Sequence, residues 1–484
     1  MTAGRLIVRG ATAAAGGLVV RLGARLIFLV VAAQLYGAAL FGAYSLAVAA
    51  VELAVAVGGL GMKRLLFQHL DERGSRAEAH VVADSALLVT LASLLLGGAI
   101  MLAVTIVPAT LISANTAGAL FILAPAIAGQ ALIDLLLAAT RWKHLIRYEV
   151  AARSLVEPYA ALAAAAAAWY AGFGEIGLLI GYWFGTLAAL LYAASGAARS
   201  FALADLRRYR PRRRRSLAIL RSAAANTAAD ALSGLFVRLD LYLVGILLGE
   251  RSAGIYGMAR QLAVPIRQVR QSFDGLLAPM VARTLQSGGA GTAALALASA
   301  ARLILALQLP LLIALVAAGR PLLHWLGPEF AAGWIAAILI AAAEAVQGAY
   351  GVGELLFVYR LPRLGLGIMA SSIVLGLAAG FVLTSIWGLN GAALAVLVTY
   401  GVRAWSRRSA LKASLGVAVP LQHSLGPVVA GAAGGALAAL IAQAGPGPDS
   451  WAVALAAGLL VYAAILIGWL RIRGETLALR HFTA

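Results

Sequence analysis

The chain has 484 residues, 62% of them apolar, with a mean hydropathy of +0.92 and a formal net charge of +19. Soluble domains are only about 45–50% apolar, so a water-soluble fold is excluded. The absence of cysteine rules out disulfides, thiolate metal sites and thiol nucleophiles, and the six histidines show no ligand-like spacing.

A helix needs about 20 residues to cross the ~30 Å hydrocarbon core. Apolar blocks of that length recur at about 10–34, 42–62, 82–107, 117–140, 152–172, 175–195, 218–248, 252–282, 294–318, 331–352, 362–385, 389–407, 424–444 and 451–470. The pattern predicts an all-α polytopic membrane protein with about 14 transmembrane helices. The first block runs into the second without a small-residue cleavage motif and reads as a retained helix. The domain organisation expected is an N-terminal six-helix bundle (1–200), a cytoplasmic arginine-rich linker (201–216), a C-terminal six-helix bundle (217–410) and two additional helices (411–484). No connecting loop is long enough to fold as a soluble domain.

Charge sorts the loops into two sets. One holds Arg5 and Arg9, then Lys63, Arg64, Arg73 and Arg76, then Arg141, Lys143 and Arg147. It continues through Arg207 to Arg215, Arg360/Arg363, Arg403/Arg407/Arg408 and Arg471/Arg473. The alternate set contributes only Arg251 and Arg320. By the positive-inside rule the first set is cytoplasmic, and so are both termini. The run Arg212 to Arg215 then reads as a topology anchor touching anionic lipid, and no nucleic-acid partner is expected.

An internal repeat appears at an offset of 212 residues: Gly37, Gly42, Tyr44 and Ala47 fall on Gly249, Gly254, Tyr256 and Ala259. In both places a helix ends at glycine, a short outer turn follows, and G-x-Y opens the next helix. Two pseudo-symmetric halves running in the same sense are expected.

Ionisable residues inside a membrane are costly and need an explanation. Arg21 and Arg25 lie four apart on one face of the first span, and Arg260, Arg267 and Arg270 share a face of the eighth. The seventh span adds Asn226, Asp230, Arg238 and Asp240; Asp274 is the local partner expected for Arg270. Guanidinium exceeds carboxylate in the first and eighth spans. This points to a cationic cavity that receives an anionic group, since the planar fork grips phosphate or pyrophosphate in bidentate fashion. The competing reading is structural, with arginines pairing with carboxylates and pinning helices together; the acidic complement is Glu52, Asp84, Asp134, Glu157, Asp274 and Glu344. Glu52, Asp84, Asp134, Glu157, Asp230 and Asp240 are the candidates for proton or sodium coupling. Pro158 is expected to distort the helix beside Glu157, and Pro265 to kink the eighth span. Trp325, Trp334 and Trp387 fit an interfacial aromatic belt.

The paired bundles, the turn at Gly37–Tyr44 and its second copy from Val237-Arg238-Leu239-Asp240 to Gly254-Ile255-Tyr256 give the chain its resemblance. It resembles the bacterial polysaccharide exporters of the multidrug/oligosaccharidyl-lipid/polysaccharide transporter superfamily, the O-antigen flippases. The resemblance implies translocation of polyprenyl-pyrophosphate-linked oligosaccharide across the bacterial inner membrane, for lipopolysaccharide or other surface polysaccharide. It suggests Arg21, Arg25, Arg238, Arg260, Arg267 and Arg270 as substrate-binding residues. The partners implied are the lipid-linked substrate, membrane lipids, and polymerase and ligase machinery. No cofactor and no enzymatic activity are expected, and no nucleotide-cradling G-x4-G-K-[ST] motif is present, so an ion gradient is the expected driving force. A lipid II flippase shares the arginines, whereas a multidrug antiporter would favour an acidic or aromatic cavity.

Overall fold

The computed structural model of the chain describes residues 25–70, 75–108, 112–201, 213–287, 289–351, 361–444 and 450–474, with Gly23, Tyr209, Glu354 and Phe357. Every regular element among them is helical. In chain order these are α1 (Gly37–Gly58), α2 (Met62–His69), α3 (Ser75–Ile106), α4 (Ala114–Leu123), α5 (Ala126–Trp142), α6 (Ile146–Ala151) and α7 (Glu157–Tyr170). They continue as α8 (Gly177–Ser200), α9 (Arg213–Ser287), α10 (Gly289–Leu326), α11 (Trp334–Tyr350), α12 (Pro362–Leu415), α13 (Gln422–Ala444) and α14 (Ser450–Arg473). A π-helical turn, Ala32–Tyr36, precedes α1, and a second, Ala152–Val156, joins α6 to α7.

Among the described residues nine helices are long and apolar enough to cross a membrane, ten if the bent pair α4–α5 is one span. The chain is therefore a multi-pass membrane protein, although this measure does not reach the fourteen crossings expected from hydropathy. Three of the nine contain a glycine with non-helical backbone: Gly37, Gly249 and Gly388. The segment from α6 to α7 is not among the nine; alanine is only weakly apolar, and Arg153 and Glu157 lower its hydropathy further. Large apolar side chains face outward along the spans, as in Leu95, 76% exposed, and Leu460, 71% exposed. Such a surface is stable only against lipid.

The chain forms two compact units, Met1–Arg238 with Leu248–Gly254, and Leu239–Leu247 with Ile255–Ala484. In the first, α7 and α8 pack through small residues: a Cβ on Gly181 or Gly185 would press on the Ala161 or Glu157 carbonyl. That close approach suits membrane helices, where association rests on packing and not on hydrophobic expulsion. In the second, α13 and α14 meet at Gly434 and Gly458, and the Tyr462 hydroxyl donates to the Ala306 carbonyl of α10 at 2.9 Å.

The internal repeat is visible in the backbone. Gly37 has φ 72° and ψ 177°, and Gly249 has φ 83° and ψ 178°. Only glycine adopts such angles without strain, so each turn can reverse out of one helix into the next. Five residues after each break, Gly42 and Gly254 pack against each other's helix. A Cβ on Gly42 would overlap the Glu250 carbonyl, and one on Gly254 the Ala38 carbonyl. Pro265, by contrast, lies in backbone that keeps helical dihedrals, and the break in α9 comes at Gly249. Pro158 follows the π-helical turn at Ala152–Val156, in keeping with the distortion expected there, because its missing N–H frees a carbonyl one turn back.

Candidate functional site

In the first unit the intramembrane charges converge on one cavity of about 590 Å³. On α5, Gln130 and Asp134 are four residues apart and share a face, as do Arg153 and Glu157 across the π turn into α7. Arg153 is the hub. Its guanidinium reaches Asp134 Oδ1 at 2.5 Å, Glu157 Oε2 at 2.7 Å and Gln130 Oε1 at 3.0 Å. Gln130 in turn donates to Glu157 Oε1 at 2.9 Å and to the Thr186 hydroxyl of α8 at 3.0 Å. Lys63, on α2 beyond the left-handed turn at Gly61, donates to the other Asp134 oxygen at 3.2 Å. The rim is closed by Arg64 with Asp230, 3.5 Å apart, and by Arg238, whose Nε donates to Glu52 at 3.1 Å.

Four of the six coupling candidates, Glu52, Asp134, Glu157 and Asp230, thus line a single cavity with four cations paired to them. Asp84 lies apart from it. It is 1% exposed and accepts from the Tyr209 hydroxyl at 2.6 Å. Asp240 belongs to the second unit. Arg25 is half-buried on the helix before α1; Arg21 and the side chain of Asp274 fall outside the described residues.

In the second unit the arginine stripe of α9 is matched to carboxylates one by one. Arg260 reaches Asp240 at 3.2 Å, and the fully buried Tyr256 donates to the same carboxylate at 2.9 Å. Arg267 contacts Glu344 of α11 through Nη2 at 2.6 Å and Nε at 2.9 Å. Arg270 lies 3.7 Å from Glu354, which Arg407 contacts at 2.9 Å and Arg403 at 3.5 Å. Arg238 and Asp240, close in sequence, therefore serve different partners. Guanidinium exceeds carboxylate at the Glu354 cluster, where three arginines meet one acid. Burial alone would raise the Glu354 carboxyl, but Arg407, Arg403 and Arg270 outweigh it and hold it below its ordinary value.

Sequence reading passed over Arg153, Gln130 and Glu354, and took Lys63 only as a cation of a cytoplasmic loop. The four-residue spacing of Arg153 and Glu157 was the available signal for the first of these. It also passed over Glu250, which follows the Gly249 break. Glu250 accepts from the Thr116 amide at 2.9 Å, the Thr116 hydroxyl at 2.8 Å, Asn115 Nδ2 at 3.1 Å and the Ser113 hydroxyl. A carboxylate there satisfies the Thr116 amide at the start of α4 and complements its dipole.

The architecture has known counterparts. A lipid II flippase, MurJ, in an inward closed conformation superposes with a TM-score of 0.79 at 12% identity, over 95% of this chain and 99% of that one. An inward-facing multidrug resistance MATE family transporter of the MOP superfamily gives 0.64 at 14% identity, over 82% and 99%. A Vibrio cholerae MATE transporter gives 0.52 at 15%, over 84% and 98%. No curated protein matches the sequence. At these identities the likeness shows the fold alone. Residues 7–285, more than half of the chain, match the family described as polysaccharide biosynthesis protein, and the chain belongs to that family.

Proposed function

We propose that the chain is a flippase carrying polyprenyl-pyrophosphate-linked oligosaccharide units across the bacterial cytoplasmic membrane by alternating access, for surface polysaccharide or lipopolysaccharide. The observation that carries the reading is the arginine stripe Arg260, Arg267 and Arg270 on α9 of a polysaccharide-family chain. Arg25 and Arg21 of the first helix and Arg238 complete the proposed substrate-binding set. Guanidinium stays charged in a dry interior and offers pyrophosphate two parallel donors.

The pairing suggests how binding is coupled to an ion. A pyrophosphate that takes Arg267 must displace Glu344, 5% exposed, and a lone carboxylate at such a site is costly. A proton or sodium ion would neutralise it and leave with the return step. Glu52, Asp134, Glu157 and Asp230 are proposed to exchange ions in the same way in the first unit. Both termini would be cytoplasmic, and polymerase and ligase machinery would receive the product on the outer side.

The test is an accumulation assay in cells lacking their own O-unit flippase, with lipid-linked oligosaccharide quantified on each leaflet. Outward transfer that Arg25→Ala and Arg267→Ala abolish, at unchanged protein level, supports the reading. The paired variant Arg267→Met/Glu344→Met restores the fold without the guanidinium; full transport by it would reduce Arg267 to a structural residue. Lipid II is the second reading, favoured by the extent of the match to its flippase. Transfer of lipid II with none of oligosaccharide lipids would select it.

A further inference from the structure

Arg320 stands out in the charge pattern, since with Arg251 it is one of two basic residues on the loops assigned to the outer side. It does not anchor topology there. In the second unit it lines a cavity of about 610 Å³, with His324 one turn further along α10. Trp334 at the start of α11 and Gln443, Ser450 and Trp451 of α13 and α14 complete the wall. Among the described residues neither Arg320 nor His324 makes a hydrogen bond or ion pair, and both side chains are exposed, open to a ligand at this surface.

The cavity is shaped locally. Gly319 leaves room for the Trp334 indole, because a Cβ there would come within 3.1 Å of its ring, and the indole N–H donates to the Leu315 carbonyl at 3.2 Å. The ring is thereby held in the wall that Arg320 also lines. The cavity is also lined by Ser450 and Trp451, the first residues of α14, the end of a helix that carries its free amides and positive dipole. At its far end α14 carries Arg471 and Arg473, which places the cavity at the opposite, outer end of the helix.

We propose that this cavity binds the phosphate group of an anionic headgroup at the outer surface, with Arg320 as the principal donor, His324 and Gln443 as further donors, and the Trp451 indole covering the headgroup's apolar or sugar face. The proposal does not depend on the transported substrate. A fork of guanidinium donors beside a helix start favours an oxyanion over a neutral sugar, and a lipid surface presents that oxyanion as phosphate.

The full-length protein would be placed in phosphatidylcholine nanodiscs with a photoactivatable phosphatidylglycerol or phosphatidylcholine probe, and labelled peptides mapped. The expected result is preferential phosphatidylglycerol labelling of the α10 end and the α14 start. Arg320→Gln should lower it by about tenfold, the size of one charge-assisted contact, while Arg251→Gln leaves it unchanged. Inorganic pyrophosphate should compete for wild-type protein, a readout that needs no variant, and Arg320→Lys should retain part of the labelling. Protection of the same peptides by pyrophosphate, with no phosphatidylglycerol preference, assigns the phosphate chemistry to a soluble anion. Equal labelling by both probes without competition by pyrophosphate, or undiminished labelling in Arg320→Gln, overturns the proposal.

Discussion

Replacing Arg153 by methionine is the most direct probe of the first unit. The side chain is 27% exposed and holds Asp134 at 2.5 Å, Glu157 at 2.7 Å and the Gln130 carbonyl at 3.0 Å. Without it Asp134 keeps Lys63, but Glu157 keeps only the Gln130 amide. Removing one partner from a buried ion pair costs about 3–5 kcal/mol, because the remaining charge is left desolvated. Arg153→Met should therefore lose roughly 3–4 kcal/mol, somewhat less than the full range because Asp134 retains a cation. Glu157→Gln should lose about 1–2 kcal/mol, since the amide still accepts one hydrogen bond. The double variant should lose less than the sum, with a coupling of about 1–3 kcal/mol. Denaturant unfolding of the detergent-solubilised protein measures all three. Additivity within about 0.5 kcal/mol would show that the two side chains do not interact and would refute the hub assigned to Arg153.

Gly254→Ala should destabilise by about 1–3 kcal/mol, because its Cβ meets the Ala38 backbone, which cannot rotate away as a side chain can. The same assay checks this, and a neutral effect would refute the close crossing of the repeated glycines. Glu250→Gln should lose about 1–2 kcal/mol at pH 7, with faster amide exchange at Thr116, since the start of α4 loses its anionic acceptor. Unchanged exchange would count against that cap. For Glu354 the carboxyl is held below its ordinary value of 4.5, so its contribution is present above that pH and is lost as pH falls through the depressed value. The stability of Glu354→Gln should therefore differ from wild type at pH 7 and converge with it as pH falls through the depressed value; a constant difference would contradict the pairing.

Much of the architecture is legible from composition alone. An apolar share of 62% with recurring blocks of membrane length leaves helices as the economical way to satisfy backbone groups in lipid. The repeat is legible too, because a φ near 72–83° is open to glycine and the two breaks carry it at matching positions. The count of crossings is less so. Helical hydrogen bonding runs past Gly249 and Gly388, and the alanine-rich segment with Arg153 and Glu157 reads only weakly as a span.

What the sequence by itself determined was which faces carry charge: the 3.6-residue period puts Arg260, Arg267 and Arg270 on one side of α9, and Gln130 with Asp134 on one side of α5. Only the tertiary structure decided what those charges meet. Arg238 finds Glu52 across 186 residues and Arg267 finds Glu344 across 77, while Asp240, two residues from Arg238, turns to Tyr256 and Arg260. The reason is geometric. Periodicity fixes a side chain's direction about its own helix axis, but the partner in that direction is set by which helix packs there, and no local spacing encodes it.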